Sequence, residues 1–179
     1  KIYKQINIKL IMKFISFYSR SSNIEHRYLS NFTLINLQEG NNTFPSVEHF
    51  FQAKKYNYTI RKNNEIKKFT INGEYGKIPP NKIKRFGGKK YMKTKGHILN
   101  ITKWNNVRKD IMTQIIKNRF NSDEKFRNII LDLLKQNYKI IHFEYSNSVP
   151  YWGRYFDKKS NKFIGNNVLG EIIMKCIFV

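Results

Sequence analysis

The stretch "SVEHFFQAKKY", residues 46–56, decides the reading of this chain. On a helix, Glu48, Gln52 and Lys55 fall at i, i+4 and i+7 and share one face. Val47, Phe50, Phe51 and Tyr58 take other angles and can pack. The spacing predicts a helix that begins near Pro45, since proline suits the first turn, and runs to about Tyr58. A polar stripe beside an apolar one is ordinary for a surface helix, so solvated Glu48 and Lys55 side chains are the plain alternative to a working face. In the first turn Glu48 would feel the helix N-terminus, which favours its ionised form. An ionised carboxylate can stabilise a developing cation or act as a base. It is a poor general acid unless burial raises its pKa.

Outward from this helix, "FISFYS" (14–19) and "FTLINL" (32–37) read as short strands or extended segments, and "EGNN" (39–42) as a turn. Residues 61–101 are basic and broken by Gly and Pro, with one short helix expected after Pro79 and Pro80; the segment reads as a variable insertion. Trp104, Val107, Ile111 and Ile115 recur at helical spacing within 102–119. A further helix is expected over 123–136, with Ser122 as N-cap and Phe126, Ile129, Ile130, Leu133 and Leu134 as its buried face. "KIIHFEY" (139–145) reads as a strand, 146–167 as a long loop, and 168–177 as a last helix. The expected fold is α+β: one predominantly helical domain over 14–179 with a few short strands, preceded by an extension at 1–13 in which Met12 is an alternative start.

The 179 residues carry 34 Lys+Arg against 12 Asp+Glu, a formal net charge of +22. Such a balance suits a nucleic-acid or phosphate partner. Scattered lysines among many Asn and Ile equally suit compositional drift, and a phosphorylated substrate fits either reading. One cysteine, Cys176, rules out an internal disulfide and a cysteine-based metal site. His26, His49, His97 and His142 lack ligand spacing, so no metal is expected. No apolar run reaches membrane-span length, and no cleavage site follows the basic, apolar start; an intracellular protein is expected.

Four smaller features carry chemistry. Trp152 in "PYWG" (150–153) offers a flat face for a base or closes the core, and Trp104 poses the same choice. "GNN" (165–167) sets side-chain amides at a helix start, as an anion or sugar site or as simple caps. "FGG" (86–88) is a plain turn or a small phosphate nest.

Taken in order, "FYS" (17–19), "LSNF" (29–32), "FPSVEHFFQAKKY" (44–56), Trp104 with "VRKDIM" (107–112), "RF" (119–120), "LL" (133–134), "IIHFE" (140–144), "YWG" (151–153) and "NNVLGEIIM" (166–174) resemble the blocks of the YbiA-like, or NADAR, N-glycosidases. The resemblance implies a compact α+β domain that cleaves a C1–N bond of ribose without a cofactor. Two substrates go with the family: reactive ribosylamino pyrimidine phosphates of riboflavin biosynthesis, and ADP-ribose on guanine bases. The reaction passes through an oxocarbenium-like state that needs a facing carboxylate and a base for water. By resemblance Glu48 fills both roles. Lys55 would hold phosphate, assist the leaving group or trap the opened sugar as a Schiff base, the electrostatic role being preferred where nothing shows the lysine desolvated. Trp104 and Trp152 would stack the base, Asn31 and Asn167 would hold ribose hydroxyls, Gln52 lies on the Glu48 face, and Glu144 is a second carboxylate. One departure stands out: Val149 occupies a position that is usually acidic. Asp157 is a candidate to take over, and a catalytically silent nucleotide-binding module is the further reading.

Overall fold

The computed structural model describes residues 13–60, 65–146 and 148–178. The expected N-terminal extension thus lies outside the described residues except for Lys13. The chain forms one α+β domain.

Strand β1 (Lys13–Phe17) pairs in parallel with β4 (Tyr138–His142), from Lys13 opposite Tyr138 to Phe17 opposite His142. Alternation turns Ile15, Phe17 and Ile140 into the core. A short helix α1 (Ile24–Tyr28) follows β1; the Asn23 side chain caps it, accepting from the amides of Glu25 and His26. This cap was not read from the sequence. The expected strand at 32–37 does not form. Only Leu37 joins a ladder, at the start of β2 (Leu37–Glu39), which pairs antiparallel with β3 (Asn42–Phe44) across a turn at Gly40.

Helix α2 runs Val47–Lys54 and continues as a 3₁₀ turn over Lys55–Tyr58. Ser46, not Pro45, sets its start: the Ser46 hydroxyl accepts the His49 amide at 3.2 Å. The helix is buried nearly all round, from Val47 to Ala53, rather than along one stripe. That burial decides against the solvated reading of Glu48, which is only 7% exposed.

The 61–101 segment is no surface appendage. A 3₁₀ turn (Glu65–Phe69), α3 (Pro80–Ile83) and α4 (Lys89–Thr94) deliver Phe69, Tyr75, Ile83, Met92 and Leu99 to the same core as α2. The long helix α5 (Ile101–Ser122), capped by Asn100, buries Trp104, Ile111, Met112, Ile115, Ile116 and Arg119. Asp123 rather than Ser122 caps α6 (Glu124–Lys135): its carboxylate accepts the Phe126 amide at 3.1 Å, while the Ser122 hydroxyl turns back to the Asn118 carbonyl.

The expected loop 146–167 contains a hairpin, β5 (Tyr155–Asp157) against β6 (Lys162–Ile164). Asp157 accepts the amides of Lys159 and Ser160 and the Ser160 hydroxyl, holding the hairpin turn. Helix α7 (Val168–Lys175) packs on β4 and α5. Cys176 is buried behind it as a free thiol. None of the described helices is long and apolar enough to cross a membrane.

Candidate active site

A cleft of about 640 Å³ opens beyond the carboxyl ends of β1 and β4. Crevices at strand ends are common ligand sites in parallel arrangements, because the chain must diverge there. Helix α2 forms one wall. Glu48, Gln52 and Lys55 all line it, as the helical spacing requires. Glu48 sits in the first turn, its amide donating to the Asn31 carbonyl at 3.1 Å. The Gln52 amide donates to Glu48 Oε1 at 2.7 Å. Gln52 is itself held by Gly87, where any Cβ would collide with the Gln52 amide oxygen. Lys55 Nζ donates to the Gly87 carbonyl at 3.1 Å and lies 5.6 Å from the Trp104 ring centre. The "FGG" turn therefore braces α2.

Burial sets the titration of this pair. Desolvation pushes the Glu48 carboxyl above its ordinary value and Glu144 adds to the rise, against the Gln52 hydrogen bond and the charges of Lys84 and Lys55. The helix N-terminus does not keep Glu48 readily ionised, as expected from its position; removal from water outweighs it. Desolvation lowers Lys55 to about 8, helped by Lys84 and Arg108 and opposed by Glu48. Lys55 is thus desolvated, which removes the reason for preferring a purely electrostatic role. A lysine at that value keeps a substantial free-amine fraction near neutral pH.

The aromatic readings resolve as both alternatives at once. Trp104 is buried against Phe51 with ring centres 5.1 Å apart, and Trp152 meets Phe51 edge-on at 5.4 Å. Both also line the cleft, so their packing fixes the flat faces they present. Asn31 is in the wall too, and its Oδ1 has no protein partner. Gln52 Oε1 and His142 Nδ1 are likewise buried and unpaired. Arg108 Nε is a fourth such atom on the lining residues, and since buried polar atoms normally find a partner, the cleft wall holds unspent hydrogen-bonding capacity. Glu144 lines the opposite side, where its carboxylate accepts the Gly153 amide at 2.9 Å. Gly153 must be glycine: a Cβ there would lie 2.5 Å from both Glu144 Cβ and the His142 carbonyl.

Asn167 is not brought to the cleft. It adopts a left-handed conformation, φ 52°, and its amide is spent on β4: Oδ1 accepts the His142 amide at 2.9 Å and Nδ2 donates to the Ile140 carbonyl at 3.0 Å. It neither holds sugar nor caps α7 through its side chain. Val149 is 66% exposed and not among the lining residues, so the departure at that position does not touch the cleft. Asp157 is committed to its hairpin turn and takes no place there.

Several lining residues were not singled out from the sequence. Arg20, Lys84 and Arg108 add cationic groups, and Tyr18, Phe143 and Tyr145 add rings at the lip. Arg108 holds its guanidinium 3.9 Å from the Tyr151 ring centre, beside Trp152. Arg108, Tyr18, His142 and Phe143 lay inside quoted blocks without a role; Lys84 carries no signal among so many lysines. Behind the wall, Arg119 is fully buried and binds the carbonyls of Tyr28 and Ser30 and the Asp123 carboxylate. It fastens the loop that carries Asn31 to α5 and α6.

Residues 16–176 match the family model described as the NADAR domain. The structure resembles the NMR structure of the E. coli protein YbiA with a TM-score of 0.62 at 22% identity, over 92% of this chain and 83% of that one. A search of curated proteins found no match.

Proposed function

Since the chain belongs to the NADAR domain family, we propose that it is an N-glycosidase that cleaves the C1–N bond of a phosphorylated ribosyl compound. The observation that carries this reading is the pairing of a carboxylate and an amine, Glu48 and Lys55, both withdrawn from water in one aromatic-walled cleft. The base of the substrate stacks on Trp104 or Trp152. Asn31 Oδ1 and Gln52 Oε1 accept hydroxyls of the ribose, which gives those buried oxygens partners. Arg20, Lys84 and Arg108 attract the phosphate.

The chemistry follows from the two pKa shifts. A ribosylamine opens to its C1 imine as the ring oxygen leaves with its bonding pair and takes the amine's proton. The free amine of Lys55 adds to C1, the π pair of the imine moves onto the substrate nitrogen, and a proton passes from the Lys55 nitrogen to it, leaving C1 bonded to both nitrogens. The Lys55 nitrogen lone pair then forms the new C1 imine as the old C1–N bond breaks, its pair staying on the departing amine, which takes a proton from the Glu48 carboxyl. A carboxyl raised by burial is suited to hold that proton. The ionised Glu48 then faces the cationic lysine imine and accepts a proton from the water that hydrolyses it. Ribose 5-phosphate leaves and Lys55 is regenerated. The favoured substrate is a ribosylamino pyrimidine 5-phosphate of riboflavin biosynthesis. ADP-ribosylated guanine in nucleic acid is the second reading, favoured by the net charge of +22.

Release of ribose 5-phosphate from the ribosylamino intermediate, and of ADP-ribose from a modified oligonucleotide, separates the two substrates. Glu48→Gln is expected to lower turnover of the true substrate by roughly a hundredfold or more while the fold is kept. Equal turnover by this variant, or none by wild type on either substrate, would overturn the proposal.

A further inference from the structure

The side of the β1–β4 pair that faces away from the main core carries aromatic rings in the open. On β1, Phe14 and Tyr18 point to this side, opposite Ile15 and Phe17. Phe14 meets Phe163 of β6 at 5.4 Å between ring centres, and Phe163 meets Phe156 of β5 at 5.3 Å. Tyr18 meets Phe143 at 5.3 Å, and Tyr145 meets Tyr155 at 4.9 Å. These rings are not sealed: Tyr145 is 71%, Phe14 55% and Phe156 47% exposed. Tyr18, Phe143 and Tyr145 are also lip residues of the cleft, and Tyr145 reaches the hairpin through Tyr155. A lone exposed ring needs no account, whereas the linked rings of Phe14, Phe163 and Phe156 do.

Cations interleave with the rings. Arg154 lies 4.6 Å from the Phe163 ring centre. Lys139 stands beside Phe14 in the ladder, and Lys158, Lys159 and Lys162 fill the hairpin turn, all exposed. The carboxylate of the hairpin turn, Asp157, is engaged by the turn itself, and Glu144 at the cleft accepts the Gly153 amide. An apolar protein partner or a second copy of this chain would have to bury these cations, and a second copy would bring its own charge of +22. Open rings separated by lysine and arginine instead suit a ligand that is anionic along its backbone and flat in its side groups.

We propose that this face binds single-stranded nucleic acid, with bases stacked on the exposed rings and phosphates on Arg154 and the neighbouring lysines, and that the strand runs to the mouth of the cleft. Binding here is a property of the outer face and does not depend on which N-glycoside the cleft cleaves. A basic protein attracts any polyanion, so the test must isolate the rings from the charge.

The triple variant Phe14→Ala/Phe156→Ala/Phe163→Ala keeps the net charge and alters no residue that lines the cleft. Fluorescence anisotropy with a labelled oligothymidylate, a duplex of equal length and a heparin fragment reads the three ligands in parallel. The expected result is tighter binding of the single strand than of the duplex by wild type. The variant should lose the single strand by tenfold or more and hold heparin unchanged. Phe14→Ala alone, at the most open ring of the three, should lose several-fold and guards against misfolding of the triple variant. Unchanged single-strand binding in both variants, parallel losses for heparin, or a wild-type dimer that the variants dissolve would each overturn the proposal. Glycosidase assays on the same proteins keep this outcome separate from failure of the cleft reading.

Discussion

Lys55→Met tests whether the cleft holds its lysine at a cost. Methionine keeps most of the stem against Phe51 and Trp104 and deletes the ammonium. Desolvation lowers Lys55 from 10.5 to about 8, so the folded protein binds its proton less tightly than the unfolded chain does. A depressed folded value means stability that is present above 10.5 and lost as pH falls through 8. At pH 7 the full penalty applies, roughly 3 kcal/mol at 1.36 kcal/mol per unit. The attraction for Glu48 is already contained in the value of about 8, so only the lost hydrogen bond to Gly87, about 1 kcal/mol, stands against it. The variant should therefore be more stable than wild type by about 2 kcal/mol at pH 7. Wild type should gain on the variant by roughly 2.5 kcal/mol between pH 7 and pH 10, as its lysine gives up the proton. Urea denaturation of both proteins across that range measures the difference, in which the titrations common to both cancel. A difference that stays flat from pH 7 to pH 10 would refute the desolvated lysine, and with it the nucleophile assigned above.

The same lysine should make kcat/KM rise with pH through about 8, because only the neutral amine attacks C1; borohydride should trap the sugar on wild type but not on Lys55→Arg, and a rate that falls through the same range points to an ammonium role instead. Gly153→Ala should cost about 1–3 kcal/mol in thermal or urea unfolding and lower turnover, since its Cβ must displace Glu144 or the His142 carbonyl. Arg119→Met should cost about 3–5 kcal/mol, as it removes one partner of a buried ion pair with Asp123 and its hydrogen bonds to the Tyr28 and Ser30 carbonyls; a near-neutral result would show that the Asn31 loop is held by other contacts, such as those of Thr33 to the same carbonyls.

What was legible in the sequence was whatever local periodicity controls. Glu48, Gln52 and Lys55 share a face because a helix has 3.6 residues per turn, and no tertiary contact is needed to know it. The turns of α5 and α6 followed from apolar spacing for the same reason. What was not legible depends on partners far along the chain. The pKa of Lys55 is set first by burial and then by charges that include Lys84, and Lys84 and the Gly87 carbonyl approach only once 61–101 has folded into the core. Reading that segment as an insertion hid them. The hairpin in 146–167 escaped because each of its strands has three residues, too few for a period to show. Asn167 was misread because an amide ahead of a helix suggests a cap, while its left-handed backbone turns the side chain onto β4.

Val149 shows how position in the chain can mislead about position in space. Counted from Glu144, it falls where an acid is usual, and its replacement suggested a damaged site. Its side chain points to solvent, away from the cleft. The carboxylate opposite Glu48 is Glu144 itself, fixed by the Gly153 amide and by the close approach that only glycine permits. A second acid in the cleft therefore depends on the "WG" dipeptide at 152–153 more than on residue 149: Trp152 lines the cleft, and the Gly153 amide holds the Glu144 carboxylate.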